Sequence, residues 1–99
     1  MKNYEIVNAN EALGSLKDHK VHGRLKFKLF RNKRACENAV DLLFKTLEGV
    51  EDESERSEIL EEEQDIDVVK FTLDELDTLP LSMSDIAHLE AIIEFEGEE

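Results

Sequence analysis

The sequence predicts a mainly helical α+β fold: a helical hairpin with one long helix, one or two short strands, and a closing C-terminal helix. An apolar stripe at helical spacing runs through residues 25–47 without Gly or Pro. Thr72 and Ser82 are each followed three residues later by a carboxylate, the pattern of a capping box. Residues 68–71 are mostly β-branched or aromatic, which is typical of a strand. We expect one small domain over residues 1–99, because this length leaves no room for a second core.

The N-terminal segment predicts a short strand or extended lead-in over 3–7, followed by a helix. Asn8 and Glu11 have capping-box spacing. The apolar residues that follow lie at helical spacing: Ala9, Ala12, Leu13 and Leu16. We expect this first helix to end near residues 18–20, before the loop around Gly23.

Residues 24–48 carry the strongest pattern. Within them, residues 24–30 alternate polar and apolar side chains, which fits a strand. The same residues also begin a helical stripe that continues without interruption: Leu25, Leu29, Cys36, Val40, Leu43 and Leu47. This continuity favours one helix over 24–48 with Gly49 as its C-terminal cap. Cys36 lies on the stripe, so we expect an inert buried thiol.

Residues 51–67 form an acidic connector in which Arg56 is the only cation. Repulsion between like charges weakens a helix, so we expect a mobile helix or a frayed loop here. The segment carries ten carboxylates: Glu51, Asp52, Glu53, Glu55, Glu58, Glu61, Glu62, Glu63, Asp65 and Asp67.

The C-terminal third predicts a strand at 68–71, paired with 3–7 in the same chain or in a second one. A single helical turn capped by Thr72 follows, and Pro80 then breaks the chain. Ser82 or Ser84 caps the last helix, whose predicted apolar face is Ile86, Leu89, Ile92 and Ile93, extended by Phe95 before an acidic tail at 96–99.

Charge is divided unevenly along the chain. Nine of the twelve Lys and Arg residues precede Glu37, and twenty-two of the twenty-five Asp and Glu residues lie from Glu37 onward. The net charge is therefore +6 before this point and −19 after it. Such polarity predicts a charged partner. It disfavours direct binding of the acidic part to nucleic acid or an anionic membrane, since phosphates are bound by Lys and Arg.

A basic cluster lies at the start of the predicted long helix: Arg24, Lys26, Lys28, Arg31, Lys33 and Arg34. Phe27 and Phe30 are interleaved with it, a pattern found in surfaces that bind single-stranded nucleic acid. We nevertheless expect Phe27, Leu29 and Phe30 to lie in the core. The cluster then pairs with the acidic region of this chain or of a second copy.

No catalytic, cofactor or metal motif stands out. His19, His22 and His88 lack Cys or His partners at zinc spacing, and the glycines are too isolated to form a phosphate-binding loop. We therefore expect a protein that is not an enzyme, without cofactor or metal. A single cysteine and the lack of a long apolar run favour a cytoplasmic protein that does not enter a membrane.

Two stretches resemble a known family. Residues 21–32, VHGRLKFKLFRN, are similar to the pattern V.GKLAYKLSRN, which begins a long helix in a family of small proteins of unknown function from phages and prophages of Gram-positive bacteria. Residues 76–93, LDTLPLSMSDIAHLEAII, are similar to its closing helix, LS..D...LE.MI. The resemblance implies a phage accessory protein in the cytoplasm of the bacterial host. The family has no assigned active site, so no residue roles follow.

Together these observations predict a non-catalytic, phage-encoded protein that binds a host protein. As an anti-defence inhibitor, it would present its ten connector carboxylates, as a nucleic-acid mimic, to a basic groove. One alternative is a self-associating assembly or scaffolding factor, in which residues 24–34 meet the acidic segment of another copy. A third, ranked lower, is an oligomer that sequesters a small ligand such as a nucleotide in a pocket lined by the basic cluster.

Overall fold

The computed structural model describes residues 1–95 and is mostly helical. Its elements, in chain order, are α1 (Asn3–Gly14), α2 (Arg24–Leu47), α3 (Glu53–Glu61), β1 (Phe71–Thr72), α4 (Leu73–Asp77), α5 (Met83–Leu89), a 3-10 turn (Glu90–Ile92) and β2 (Ile93–Glu94). The predicted class, mainly helical with short strands, is confirmed.

The core lies where α1 packs against α2 and α5. Its largest fully buried apolar side chains are Ile6, Phe71, Leu89 and Ile92. Helix α2 contributes the buried side of its apolar stripe, including Cys36 and Val40. Burial of apolar surface at this junction is the main source of stability. It also fixes the relative positions of the helices that carry the charged segments.

Helix α1 begins five residues before the predicted cap at Asn8, so the prediction of a strand at 3–7 is wrong. Lys2 is the N-cap, and the Lys2 backbone N–H donates a hydrogen bond of 2.8 Å to the Glu5 carboxylate. Asn3 and Ile6 are buried, so the helical spacing of the later apolar residues continues toward the N-terminus. The helix also ends earlier than expected, at Gly14.

Helix α2 confirms the prediction for residues 24–48 to within one residue, and residues 24–30 are helical. Gly23 precedes it with φ 71°, a conformation that favours glycine. The prediction that Gly49 caps the other end is wrong. Glu48 is the C-cap in a right-handed conformation, and Gly49 has no positive φ. The Arg56 guanidinium contacts this end instead, as described below.

The strand pairing differs from the prediction. Strand β1 covers only 71–72 and pairs in parallel with β2, with Phe71 opposite Ile93 and Thr72 opposite Glu94. Residues 3–7 cannot pair because they are helical, although an isolated antiparallel bridge joins Lys2 to Glu63. The chain between the strands, through α4 and α5, supplies the crossover that parallel pairing requires.

Both predicted capping boxes at 72–75 and 82–85 are confirmed. The Thr72 hydroxyl accepts from the Glu75 N–H, and the Ser82 hydroxyl accepts from the Asp85 N–H. The predicted helical face through Ile93 is wrong: α5 ends at Leu89, and Ile86 is exposed. Ile92, in the 3-10 turn, and Ile93, in β2, are still buried. Phe95 packs against the core. The predicted acidic tail at 96–99 lies outside the described residues.

Candidate functional site

The acidic surface consists of the ten connector carboxylates, and all ten residues are exposed: Glu51, Asp52, Glu53, Glu55, Glu58, Glu61, Glu62, Glu63, Asp65 and Asp67. Helix α3 carries four of them and has no buried residue. Ile59 and Leu60 are only half-buried. Most of this helix therefore faces solvent, and the mobility predicted for it stays a prediction.

Local contacts fix both ends of α3. At its N-terminus the Asp52 side chain accepts a hydrogen bond from the Ser54 N–H at 3.0 Å. At its C-terminus the Asn3 amide donates to the Ile59 carbonyl at 2.7 Å, and the Asn3 backbone N–H donates to the Glu62 carbonyl at 2.9 Å. Asn3 is 6% exposed. A buried side chain of α1 thus holds the end of an exposed acidic helix.

Arg56, the only cation of the connector, binds carbonyls rather than carboxylates. Its guanidinium donates to the Leu47 oxygen at 2.8 Å and to the Val50 oxygen at 2.9 Å. The Leu47 carbonyl belongs to the last residue of α2, and the Val50 carbonyl lies just beyond it. A positive charge is favourable here because the C-terminal end of a helix dipole is negative. The guanidinium therefore anchors α3 to the end of α2, a role that its place in the sequence does not indicate.

Three members of the acidic surface pair with basic groups of the chain. The Lys2 ammonium lies 3.1 Å from Glu61, and the hydrogen bond with Glu61 raises the pKa of Lys2. The Met1 amino group lies 3.3 Å from Glu63, and Arg31 lies 2.8 Å from Asp67. Within residues 1–95, the other seven make no salt bridge: Glu51, Asp52, Glu53, Glu55, Glu58, Glu62 and Asp65.

No family model, curated protein or solved structure matches this chain. Within residues 1–95, no three His, Cys, Asp or Glu side chains are grouped so that they could hold a metal ion. The helices described there also include none that is long and apolar enough to cross a membrane. The site is therefore interpreted from its own geometry.

The basic cluster divides into residues with partners and residues without. The Lys28 ammonium lies 2.6 Å from the Glu75 carboxylate, and Arg31 binds both oxygens of Asp67. Lys33 donates to the Asn10 side chain at 2.7 Å and lies 3.4 Å from Glu37. The remaining members make no salt bridge within residues 1–95: Arg24, Lys26 and Arg34. Of the cluster, Arg31 alone pairs with the acidic connector, as the sequence predicted, and Lys28 and Lys33 pair with residues elsewhere in the chain.

The prediction that Phe27 and Phe30 lie in the core is wrong. Their exposed fractions are 69% and 65%, whereas Leu29 packs against the core as expected. At about 100° per residue, Phe27 lies about 160° around α2 from Leu29, on the opposite side, and Phe30 lies about 100° away, on the flank of the helix. The predicted helical stripe contains Leu25, Leu29 and Cys36 but neither phenylalanine, so the helical spacing itself leaves Phe27 and Phe30 outside the core-facing side.

Asn32 is a structural residue that the sequence reasoning missed. It is completely buried, and its side-chain amide donates to the Val69 carbonyl at 2.8 Å and accepts from the Val69 N–H at 2.9 Å. It therefore pairs with Val69 as a neighbouring strand would. The signal was present: Asn32 falls on the apolar stripe between Leu29 and Cys36, where a polar residue requires a partner.

Cys36 is buried as predicted. It is 0% exposed, and burial raises its pKa to about 11. At neutral pH the thiolate, which is the nucleophilic form, is therefore scarce. This environment supports the expectation of an inert core thiol.

Proposed function

We propose that this protein is a non-catalytic, phage-encoded accessory protein whose acidic surface occupies a basic groove on a host protein in the bacterial cytoplasm. One observation carries the proposal: α3 has no buried residue and, together with the residues beside it, presents seven carboxylates that make no salt bridge within residues 1–95. Because these charges do not support the core, their accumulation on one segment is better explained by an external cationic partner.

The charge density of α3 favours a partner that ordinarily holds nucleic acid. The helix has nine residues and four carboxylates, Glu53, Glu55, Glu58 and Glu61. Three of these, Glu53, Glu55 and Glu58, make no salt bridge within residues 1–95. Nine helical residues rise about 13.5 Å, which gives about one unpaired carboxylate per 4.5 Å, comparable to the roughly 3.4 Å axial spacing of charges along one strand of B-DNA. A groove whose Arg and Lys residues match phosphate spacing would therefore find a similar density of oxygens here.

The fixed ends of α3 support this role. Asn3 and Arg56 hold the helix through backbone carbonyls, so the backbone that carries the carboxylates does not have to order itself on binding. Binding then loses less conformational entropy than binding by a disordered acidic tail. Half-buried Ile59 and Leu60 offer a small apolar contact beside the charges.

The test neutralises four carboxylates without salt bridges in the described chain, in the variant E53Q/E55Q/E58Q/E62Q. The control variant E11Q/E48Q/E90Q/E94Q removes the same charge from four other exposed glutamates. Each protein is used to capture proteins from host lysate at about 50 mM and about 500 mM salt. A partner should bind the wild type and the control at low salt, fail to bind the acidic-surface variant, and be displaced by DNA.

Three results would count against the proposal. They are a captured protein that is retained equally at both salt concentrations, one that binds the two variants equally, and one that DNA does not displace. The first two exclude charge pairing with α3, and the third excludes a groove that holds nucleic acid.

Self-association is the second candidate, and one observation favours it. Four large apolar side chains are more than half exposed on α2: Phe27, Phe30, Leu42 and Phe44. A contact between two copies would remove these side chains from water. An assembly role predicts a concentration-dependent dimer in sedimentation equilibrium that the variant F27S/F44S abolishes, and a monomer at micromolar concentration would exclude it.

A further inference from the structure

A groove separate from the acidic surface lies between the end of α1, the loop at 15–23, and the first turns of α2. It has a volume of about 490 Å³ and opens to solvent. Its apolar part includes Leu13, Leu16 and Leu29. This volume falls in the range of small-molecule sites, roughly 300–1,000 Å³.

The charges around the groove are opposite in sign to the net charge of the whole chain. The net charge is −13, yet every ionisable residue that lines the groove is Lys or His. Three of the lysines, Lys17, Lys20 and Lys26, are exposed and make no salt bridge within residues 1–95. By contrast, Lys28 and Arg31, which are outside the lining, pair with carboxylates. Three of the cations that make no salt bridge within residues 1–95 thus surround one apolar cleft, whereas Arg24, Arg34, Lys45 and Lys70 are unpaired elsewhere.

The lining also limits the chemistry of an occupant. Apart from the Lys and His side chains, the described lining residues are all apolar. No Ser, Thr, Asn or Gln side chain is present among them, so hydrogen bonds that distinguish one base from another would have to come from Lys and His alone. A simple polyanion would use the lysines but not the apolar surface. An uncharged apolar molecule would use the leucines but not the lysines.

We propose that this groove binds a small anionic amphiphile, in which a short alkyl or aryl group lies on the leucines and Phe30 and a phosphate or carboxylate contacts Lys17, Lys20 and Lys26. Phe30 lines the groove and is 65% exposed, so it is available to cover the apolar part of the ligand. A headgroup at the mouth remains hydrated in part, which keeps the cost of desolvating its charge low.

The test uses decyl phosphate below its critical micelle concentration, titrated into the whole protein by isothermal titration calorimetry. Decanoate should bind more weakly than decyl phosphate, because its headgroup carries less negative charge. Inorganic phosphate alone should bind at least about tenfold more weakly, since it lacks the apolar contribution of roughly 0.8 kcal/mol per buried CH₂. Decyltrimethylammonium, with the same chain and opposite charge, should not bind.

Paired variants place the site. K17E/K20E should weaken decyl phosphate binding about tenfold or more, whereas K45E/K70E, with the same change in charge, should change it less than about twofold. F30S should weaken binding, and F44S, at another exposed phenylalanine of the same helix, should not. The four lysines and the two phenylalanines are all exposed, so folding should tolerate each change.

Several outcomes would overturn the inference. Equal binding of decyltrimethylammonium would indicate unspecific adsorption of the chain, and equal losses in K17E/K20E and K45E/K70E would indicate a diffuse charge effect. Tighter binding of single-stranded oligothymidylate at the same lysines would identify a polyanion surface instead. None of these measurements depends on α3, so the groove and the acidic surface succeed or fail separately.

Discussion

Lys28 Nζ lies 2.6 Å from Glu75 Oε1 and 5.3 Å from the centroid of the Phe71 ring. The same Glu75 oxygen accepts a hydrogen bond from the Thr72 N–H at 2.9 Å. One contact therefore joins three features that the sequence suggests separately: the basic cluster, the capping box at 72–75, and the strand that ends beside it. Lys28 is not available to a partner, because it holds α2 against the start of α4.

Replacing Lys28 by Met should lower the free energy of unfolding by about 1 kcal/mol, because it removes a partly exposed ion pair and the contact with the Phe71 ring. Lys26→Met is the matched control: Lys26 also lies over a ring, 5.4 Å from the centroid of Phe27, but has no salt bridge in residues 1–95, so the difference between the variants reports the ion pair. Urea denaturation followed by circular dichroism measures both. Equal stability of the two variants would show that the pair contributes nothing.

The Glu75 contact should also respond to pH. The hydrogen bond from Lys28 is the main cause of the lowered pKa of Glu75. A carboxyl whose pKa is lowered on folding contributes stability above its unfolded pKa, near 4.5, and loses it as pH falls through the folded value. E75Q retains a residue able to complete the capping box. Its deficit in unfolding free energy should therefore be present at neutral pH and shrink toward zero as the pH falls below 4.5. A deficit that is constant with pH would contradict the assignment.

Asn32→Ala should be more costly than Lys28→Met. It removes both partners of the Val69 backbone and leaves a cavity beside the core, so we expect a loss of about 2–4 kcal/mol. Asn38→Ala, at an exposed position of the same helix, should change stability by less than about 0.5 kcal/mol. Amide hydrogen exchange provides a local measurement: the Val69 N–H should lose protection in Asn32→Ala alone.

Cys36 should be unreactive in the folded protein. Its burial and its pKa of about 11 leave little accessible thiolate at neutral pH. Labelling by a thiol reagent should therefore proceed only through unfolding, slowly in buffer and rapidly in urea. Rapid labelling of the native protein would show that α2 moves away from the core.

The parts of the fold that the sequence predicted are those specified by neighbouring residues. The stripe through Cys36 and the capping boxes at Thr72 and Ser82 depend on spacings of three or four residues, so they are readable locally. The predictions of helix α2 and of the starts of α4 and α5 are correct for this reason.

The errors lie where distant contacts decide the structure. Residues 3–7 are helical because Ile6 packs in the core and Asn3 binds the Ile59 carbonyl, more than fifty residues away. Strand β1 pairs with β2 rather than with the N-terminus, a choice made by the path of α4 and α5. Gly49 is not a left-handed cap, because Arg56 satisfies the carbonyls there.

The composition of the connector predicts the acidic surface, and the contacts in the structure show which of its carboxylates are paired. All ten connector carboxylates are exposed, but Glu61, Glu63 and Asp67 pair within the chain. Composition could not separate the paired members from the other seven, because the pairing depends on where Lys2 and Arg31 lie in the fold. The variants proposed for binding therefore avoid the paired residues.

The most direct test of the central claim is the salt dependence of partner binding by E53Q/E55Q/E58Q/E62Q and by E11Q/E48Q/E90Q/E94Q, with the wild type as reference. We expect the wild type and the control to bind a host protein tightly at low salt and to lose affinity steeply as salt rises. The acidic-surface variant should bind weakly at every salt concentration. Equal affinity of the two variants, with the same dependence on salt, would contradict the claim that α3 and its flanking residues form the binding surface.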